Sequence, residues 1–192
     1  MEKNIIPQLI LFFVFTLNTI KMNAQEDTIS CQELNLQQKS LVAISALTSV
    51  GNLENLKKEL HNALDTGVSI NEIKEVIVQL YAYCGFPKSL NAIGTFKNIL
   101  EERIAKGIKD NQGKEIIVEN NNPDKYEQGR KVLEILTKIP QIKPAPGFGE
   151  FAPRIDAFLK EHLFADVFNS DVFDVSTTRI SYYLLLSSND WN

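Results

Sequence analysis

Two kinds of reactive side chain lie close together in the sequence between residues 61 and 84, acid–base groups and a thiol. Glu75, Gln79 and Tyr83 recur at i, i+4 and i+8, so a helix would place a carboxylate, an amide and a phenol along one side. General acid–base catalysis uses such groups when their pKa values can be moved toward neutrality. A solvated helix face or a subunit contact would give the same pattern.

Two further acid–base candidates precede this row. His61 is one of two histidines in the chain, and an imidazole beside a carboxylate would provide a proton donor and acceptor. A surface or interface histidine near a helix end is an equally good interpretation. Glu72 follows Ser69 at the spacing of a capping box, so it has a competing structural role.

Cys84 is the candidate nucleophile, since its thiolate could form a sulfenic acid that an outside thiol reduces. Its spacing from Val76 and Leu80 places it on or beside the buried side of a helix. Free cysteine in that position is usually an inert, small apolar group. The sequence therefore favours an inert Cys84.

The composition is that of an ordinary globular protein. The 192 residues are 44% hydrophobic and carry a net charge of -4, without a basic patch that would bind nucleic acid. No glycine-rich phosphate loop is present, and the two histidines are far apart without a cysteine or aspartate cluster, so we expect no metal and no cofactor.

The apolar pattern predicts an all-α protein, because helical stripes are broken by glycine and proline and no two-residue alternation is sustained. Residues 32–106 should form four helices that end at Gly51, Gly67, Gly85 and Gly107. The residues predicted to be buried on them are Leu34, Leu41, Val42, Ser45 and Thr48; Leu53, Leu56, Leu60 and Leu64; Ile73, Val76, Ile77, Leu80 and Cys84; and Ile93, Phe96, Leu100 and Ile104.

Residues 107–150 are predicted to be a linker that contains one helix, at about 124–137. The helix would bury Tyr126, Leu133 and Leu136, and the proline-containing sequence after it should be semi-rigid. From residue 151 onward we expect a further amphipathic helix with Phe151, Ile155, Phe158 and Leu159 on its apolar side. His162 would pack inside.

Residues 1–24 are typical of a signal peptide, with an apolar centre and a small-residue cleavage site before Gln25. The apolar run is shorter than the roughly 20 residues that a spanning helix needs. We therefore expect an exported protein without a stable membrane anchor, periplasmic if the source is Gram-negative. Cys31 and Cys84 could then form a disulfide, and two free thiols are the alternative.

Residues 56–92 resemble the core of the carboxymuconolactone decarboxylase family. The resemblance is carried by a set of residues in the family's order: His61, Gly67, Glu72, Glu75, Gln79, Tyr83, Gly85, Pro87, Asn91 and Ala92. It implies an all-α, alkylhydroperoxidase D-like bundle that assembles as trimers or hexamers and acts on a small molecule.

The resemblance also implies a function. Decarboxylation or a lactone-type reaction of a small organic acid would use His61, Glu72 or Glu75, and Tyr83 as acid–base groups. Gln79 and Asn91 would then contact the substrate.

Relatives similar to alkylhydroperoxidase D carry a Cys-x-x-Cys pair with a histidine four residues later. The corresponding positions here are Cys84, Pro87 and Asn91, so a dithiol cycle through that motif is excluded. A peroxiredoxin-like reaction that uses Cys84 alone is the alternative function.

Residues 151–192 resemble the start of a second, truncated repeat, but residues 180–192 depart from the family pattern. Reading their codons one base later permits family-like residues, which leads to the hypothesis of a frameshift near Arg179. A non-catalytic oligomeric remnant is therefore a further alternative. In a truncated repeat Phe158, Leu159, Phe164 and Phe168 would need another subunit to cover them.

Overall fold

A computed structural model describes residues 34–117 and 123–173, which belong to one compact unit. These residues form helices and no β-strand, so the predicted all-α class is confirmed. The predictions for residues 1–24, Cys31 and residues 180–192 lie outside the described residues.

Four helices build the first half: α1 (Leu36–Val50), α2 (Leu53–Asp65), α3 (Ile70–Cys84) and α4 (Phe86–Ala105). Capping boxes begin α1 at Asn35 and α3 at Ser69, and each satisfies backbone N–H groups that lack a partner within the helix. Gly51, at φ 77°, ends α1 in a left-handed conformation that favours glycine. The predicted breaks between helices are thus confirmed, although α1 begins at Leu36 and not at residue 32.

The buried sides of α2 and α3 agree with the prediction except at Leu53 and Cys84, which are only half-buried, and that of α1 agrees only in part. Leu41 and Thr48 of α1 are buried as predicted, whereas Val42 and Ser45 are only half-buried. Ile44 is fully buried and was not predicted. The predicted line of buried residues on α1 is therefore rotated slightly around the helix from the observed one.

The buried side of α4 differs more strongly from the prediction. Ile93 and Ile104 are 39% and 70% exposed, so their assignment to the core was wrong. The residues that α4 does bury are Ser89, Ala92, Thr95, Phe96, Ile99 and Arg103. Polar partners explain the difference, because the Ser89 hydroxyl donates to the Ile77 carbonyl at 2.7 Å and Arg103 pairs with carboxylates, which a search for apolar residues does not detect.

The second half begins with α5 (Lys125–Thr137), which the Asp124 side chain caps. Tyr126, Leu133 and Leu136 are buried on it, as predicted. Two short helices follow, α6 (Phe148–Phe151) and α7 (Pro153–Ala157), and α7 continues into a π-helix (Phe158–Val167).

The apolar side predicted for this last segment was wrong. Phe151, Ile155 and Phe158 are exposed, at 93%, 53% and 54%. The residues buried instead are Asp156, Lys160, Phe164, Ala165 and Val167. An ion pair occupies the inner side, and a π-helix does not keep the 3.6-residue period on which the prediction was based.

Two apolar clusters hold the described residues together. The first lies among α1–α4, and Phe173 reaches back into it from the second half. In the second, Leu133 and Leu136 of α5 meet Phe164 and Phe168. The expectation that Phe164 and Phe168 need another subunit was therefore wrong, since α5 covers them.

The segment after α4 is mostly exposed, as predicted, but it is fixed to the start of α3. The backbone N–H groups of Ile70 and Asn71 donate to the carbonyls of Asn111 and Gln112, at 2.9 and 3.2 Å. These bonds satisfy donors of the first turn of α3. None of the described helices is both long enough and apolar enough to cross a membrane.

In the second half, α5 packs so closely against the π-helix that adding one methyl group to α5 should destabilise the protein. A Cβ added at Gly129 of α5 would lie 1.8 Å from the Lys160 backbone oxygen. We expect Gly129→Ala to lower the free energy of unfolding by about 1–3 kcal/mol, measured by urea denaturation.

Gly94 of α4 is the matched control, since an added Cβ there meets no atom within 4 Å. Gly94→Ala should raise stability by about 0.5–1 kcal/mol through helix propensity. Equal effects of the two substitutions would show that α5 and the π-helix do not pack this closely.

Candidate functional site

The side of α3 that carries Glu75, Gln79 and Tyr83 is covered by protein. Glu75 and Gln79 are 4% and 2% exposed, and the Gln79 amide donates to the Glu75 carboxylate at 3.1 Å. Tyr83 contacts both apolar clusters, and its ring packs edge to face against that of Phe168, with the ring centres 6.4 Å apart. The row is therefore not a solvated helix face.

Burial raises the pKa of Glu75, since a charged carboxylate is disfavoured away from water. Hydrogen bonds with Gln79 and Ser170 act in the opposite direction, and the negative charge of Asp171 adds to the increase. The net pKa is above the ordinary value. The protonated form is thus stabilised in the folded protein, so Glu75 makes folding less favourable as the pH rises above its ordinary pKa.

Gln79 has an unused acceptor. Its side-chain oxygen is buried and accepts no hydrogen bond from the residues that the structure describes. A buried polar atom left unsatisfied costs about 1–3 kcal/mol, so it calls for an explanation, such as strain, a catalytic role, or a bound water or ion.

Tyr83 lies at the wall of a cavity of about 320 Å³. The other walls come from the second half, among them Leu133, Leu163 and Phe164. The row on α3 thus runs from the buried carboxyl of Glu75 to Tyr83, which borders the cavity.

The structure gives Glu72 its capping role. One of its oxygens, Oε2, accepts from the Ser69 backbone N–H at 2.8 Å and from the Ser69 hydroxyl at 2.6 Å. Both bonds stabilise the start of α3.

His61 belongs to a separate cluster around Arg103. The His61 Nδ1 atom lies 3.3 Å from Arg103 Nη1. Arg103 is buried and binds Asp110 at 2.8 Å and Asp65 at 2.7 Å. Among the described residues, no hydrogen bond joins His61 to Glu75.

The surroundings of Cys84 do not activate its thiol. Burial raises the pKa of Cys84, although the positive charge of Lys88 and a hydrogen bond with Ser49 act against the increase. The thiol also donates to the Leu80 carbonyl at 3.2 Å. A raised pKa leaves less of the reactive thiolate at neutral pH.

Two other predicted residues lie on the surface. Asn91 is exposed on α4, away from the buried row of α3. His162 was expected to pack inside, but its side chain is 57% exposed, so that expectation was wrong. It contacts the Tyr81 hydroxyl and lies 3.2 Å from an oxygen of Asp166.

A buried polar group in the second half was not predicted from the sequence. Lys160 is fully buried and pairs with Asp156, which also accepts a hydrogen bond from the Tyr126 hydroxyl. Burial opposes ionisation of Asp156, but the bonds with Lys160 and Tyr126 outweigh it and lower the pKa. The i, i+4 spacing of Asp156 and Lys160 was visible, although such pairs usually lie on the solvated side of a helix.

Within residues 34–117 and 123–173, no three His, Cys, Asp or Glu side chains are grouped so as to hold a metal ion. The model of the Carboxymuconolactone decarboxylase family matches residues 21–98, which agrees with the resemblance found in the sequence. No curated protein and no solved structure gives a significant match to the chain.

The Arg103 cluster predicts unequal effects of two similar substitutions. Asp110 is 7% exposed and Asp65 is 65% exposed in their side chains. Asp110→Asn should cost about 3–5 kcal/mol of stability, because it removes the negative charge of a buried ion pair and leaves the buried charge of Arg103. Asp65→Asn should cost less than about 1 kcal/mol.

Urea denaturation of both variants at neutral pH measures the difference. If Asp65→Asn costs as much as Asp110→Asn, the connection after α4 does not hold Arg103 in the described way.

Proposed function

We propose that this chain, whose residues 21–98 carry a Carboxymuconolactone decarboxylase family domain, performs acid–base chemistry on a small organic acid with Glu75 as the proton-transferring group. Decarboxylation and a lactone-type reaction both need a group that gives or takes a proton. The observation that carries the proposal is the burial of Glu75, which raises its pKa.

The neighbours of Glu75 support this assignment. The Gln79 amide holds the carboxyl through one hydrogen bond, and its own oxygen accepts none from the described residues. In the proposed site, that oxygen accepts a hydrogen bond from the substrate. Tyr83, at the cavity wall, supplies a phenol that can donate a hydrogen bond.

The other acid–base candidates have structural contacts that account for them. Glu72 completes the capping box of α3, and His61 faces Arg103. We therefore assign the proton transfer to Glu75 and not to these two residues.

The peroxiredoxin-like alternative has less support, because burial raises the pKa of Cys84. It predicts hydroperoxide turnover that Cys84→Ser abolishes. The third alternative, a non-catalytic remnant, predicts no turnover of any substrate.

We further propose that the protein is exported, periplasmic in a Gram-negative source, and assembles as a trimer or hexamer. The pattern of residues 1–24 supports export. Exposed apolar side chains on α4 support assembly, since Phe86, Leu90 and Ile93 are 62%, 58% and 39% exposed and would be covered by another subunit.

The test is turnover of carboxymuconolactone and of a panel of small carboxylic acids in D₂O. Proton NMR would detect loss of CO₂, lactone opening or deuterium exchange beside a carbonyl. We expect Glu75→Gln to lower the rate by about 10²–10⁴-fold, because an amide cannot transfer the proton.

Glu101→Gln is the matched control, since Glu101 is an exposed glutamate paired with Lys97. It should leave the rate unchanged. Full activity of Glu75→Gln contradicts the proposal, and activity lost only in Cys84→Ser would assign the function to the thiol.

A further inference from the structure

The cavity beside Tyr83 contains a cation that the acid–base proposal does not use. Its volume is about 320 Å³, at the lower end of the range of about 300–1,000 Å³ for small-molecule sites. Lys160 lies in its wall and is fully buried. A lysine with no exposed surface is unusual and needs compensating contacts.

The ammonium group of Lys160 has more N–H donors than its hydrogen bond to Asp156 uses. It carries three N–H groups, and in the described part of the chain its hydrogen bond is to Asp156 Oδ1. The other oxygen of Asp156 accepts from the Tyr126 hydroxyl. Asp156 therefore uses both oxygens within the protein, while Lys160 can donate to a further acceptor.

The charges around Tyr126 favour an anion as that acceptor. Lys160 Nζ lies 5.3 Å from the centre of the Tyr126 ring, and Lys143 Nζ lies 4.3 Å from it. Arg130, Lys143 and Lys160 together outnumber the two carboxylates that act on Tyr126, Asp156 and Glu127, so the surroundings of the ring carry a net positive charge. Water screens the attraction of a carboxylate to the exposed Lys143, but much less its attraction to the buried Lys160.

The remaining walls favour an apolar body. Leu133, Phe148, Leu163 and Phe164 line the cavity, and they would leave additional carboxylates without hydrogen-bond donors. The cavity therefore suits one charged group at Lys160 and a hydrocarbon or aromatic part beside the leucine and phenylalanine side chains.

We infer that this cavity binds a small monocarboxylic acid with an apolar body, and that Lys160 receives its carboxylate. The site joins α3 to the second half, because Tyr83 and Lys160 lie in walls of the same cavity. The statement that the bound acid is the substrate rests on the proposed function, whereas binding itself requires no turnover.

Titration of the full chain with benzoate, followed by saturation-transfer NMR and calorimetry, tests the inference. Benzamide is the matched neutral probe. We expect saturable binding of benzoate and at least about tenfold weaker binding of benzamide, because the amide lacks the negative charge.

Three variants locate the binding. Leu163→Trp fills the cavity and leaves the Asp156–Lys160 pair intact, so it should abolish benzoate binding. Ile135→Trp, on an exposed position of α5, should retain it. Replacing the pair together, as Lys160→Met with Asp156→Asn, should weaken benzoate binding at least about tenfold without leaving an unpaired buried charge.

Each result decides a separate claim. Absence of benzoate binding, or binding unchanged by Leu163→Trp, overturns the site. Equal binding of benzoate and benzamide overturns the role of Lys160 as a carboxylate receptor. A wild-type protein that binds benzoate but turns over none of the small acids contradicts the proposed function alone.

Discussion

The close packing of α5 against the π-helix is the contact on which the rest of the site depends. Gly129 permits it, because a side chain there would overlap the Lys160 backbone oxygen. This packing places Phe164 and Phe168 over α3, where Phe168 meets Tyr83. The second half thereby covers the polar row of α3 and supplies the other walls of the cavity.

Burial of that row has chemical consequences. Away from water, the Glu75 carboxyl holds its proton more tightly, and the Gln79 oxygen is left without a partner among the described residues. The same low-dielectric surroundings strengthen the Asp156–Lys160 pair. The fold thus holds two buried polar pairs, Glu75 with Gln79 on α3 and Asp156 with Lys160 in the second half.

Local signals in the sequence were sufficient for the helices of the first half. The capping box at Ser69 and the glycine at position 85 act within one helical turn, so the bounds of α3 could be predicted. The buried sides of α4 and of the last helices could not be predicted from the apolar residues. Arg103 and Lys160 are charged, and each can be buried because it pairs with a carboxylate, Arg103 with Asp110 and Lys160 with Asp156. Apolar periodicity alone favours Ile104 and Phe158, which are exposed.

The candidate site could be predicted from the sequence only in part, for the same reason. The i, i+4, i+8 spacing predicted the row of Glu75, Gln79 and Tyr83, since one helix determines it. Whether a residue faces solvent or another segment depends on tertiary packing. The sequence offered His61 and Cys84 as candidates beside equally good or better structural interpretations, and their neighbours Arg103 and Lys88 became visible only in the fold.

The pKa of Glu75 is the most direct test of the proposed chemistry. Carbon-13 NMR of the glutamate carboxyl groups, titrated in the folded protein and assigned by the signal that Glu75→Gln removes, would measure it. The account predicts a pKa above the ordinary glutamate value. A value at or below the ordinary one would mean that Glu75 is a stabilised anion, which contradicts its role as the proton-transferring group.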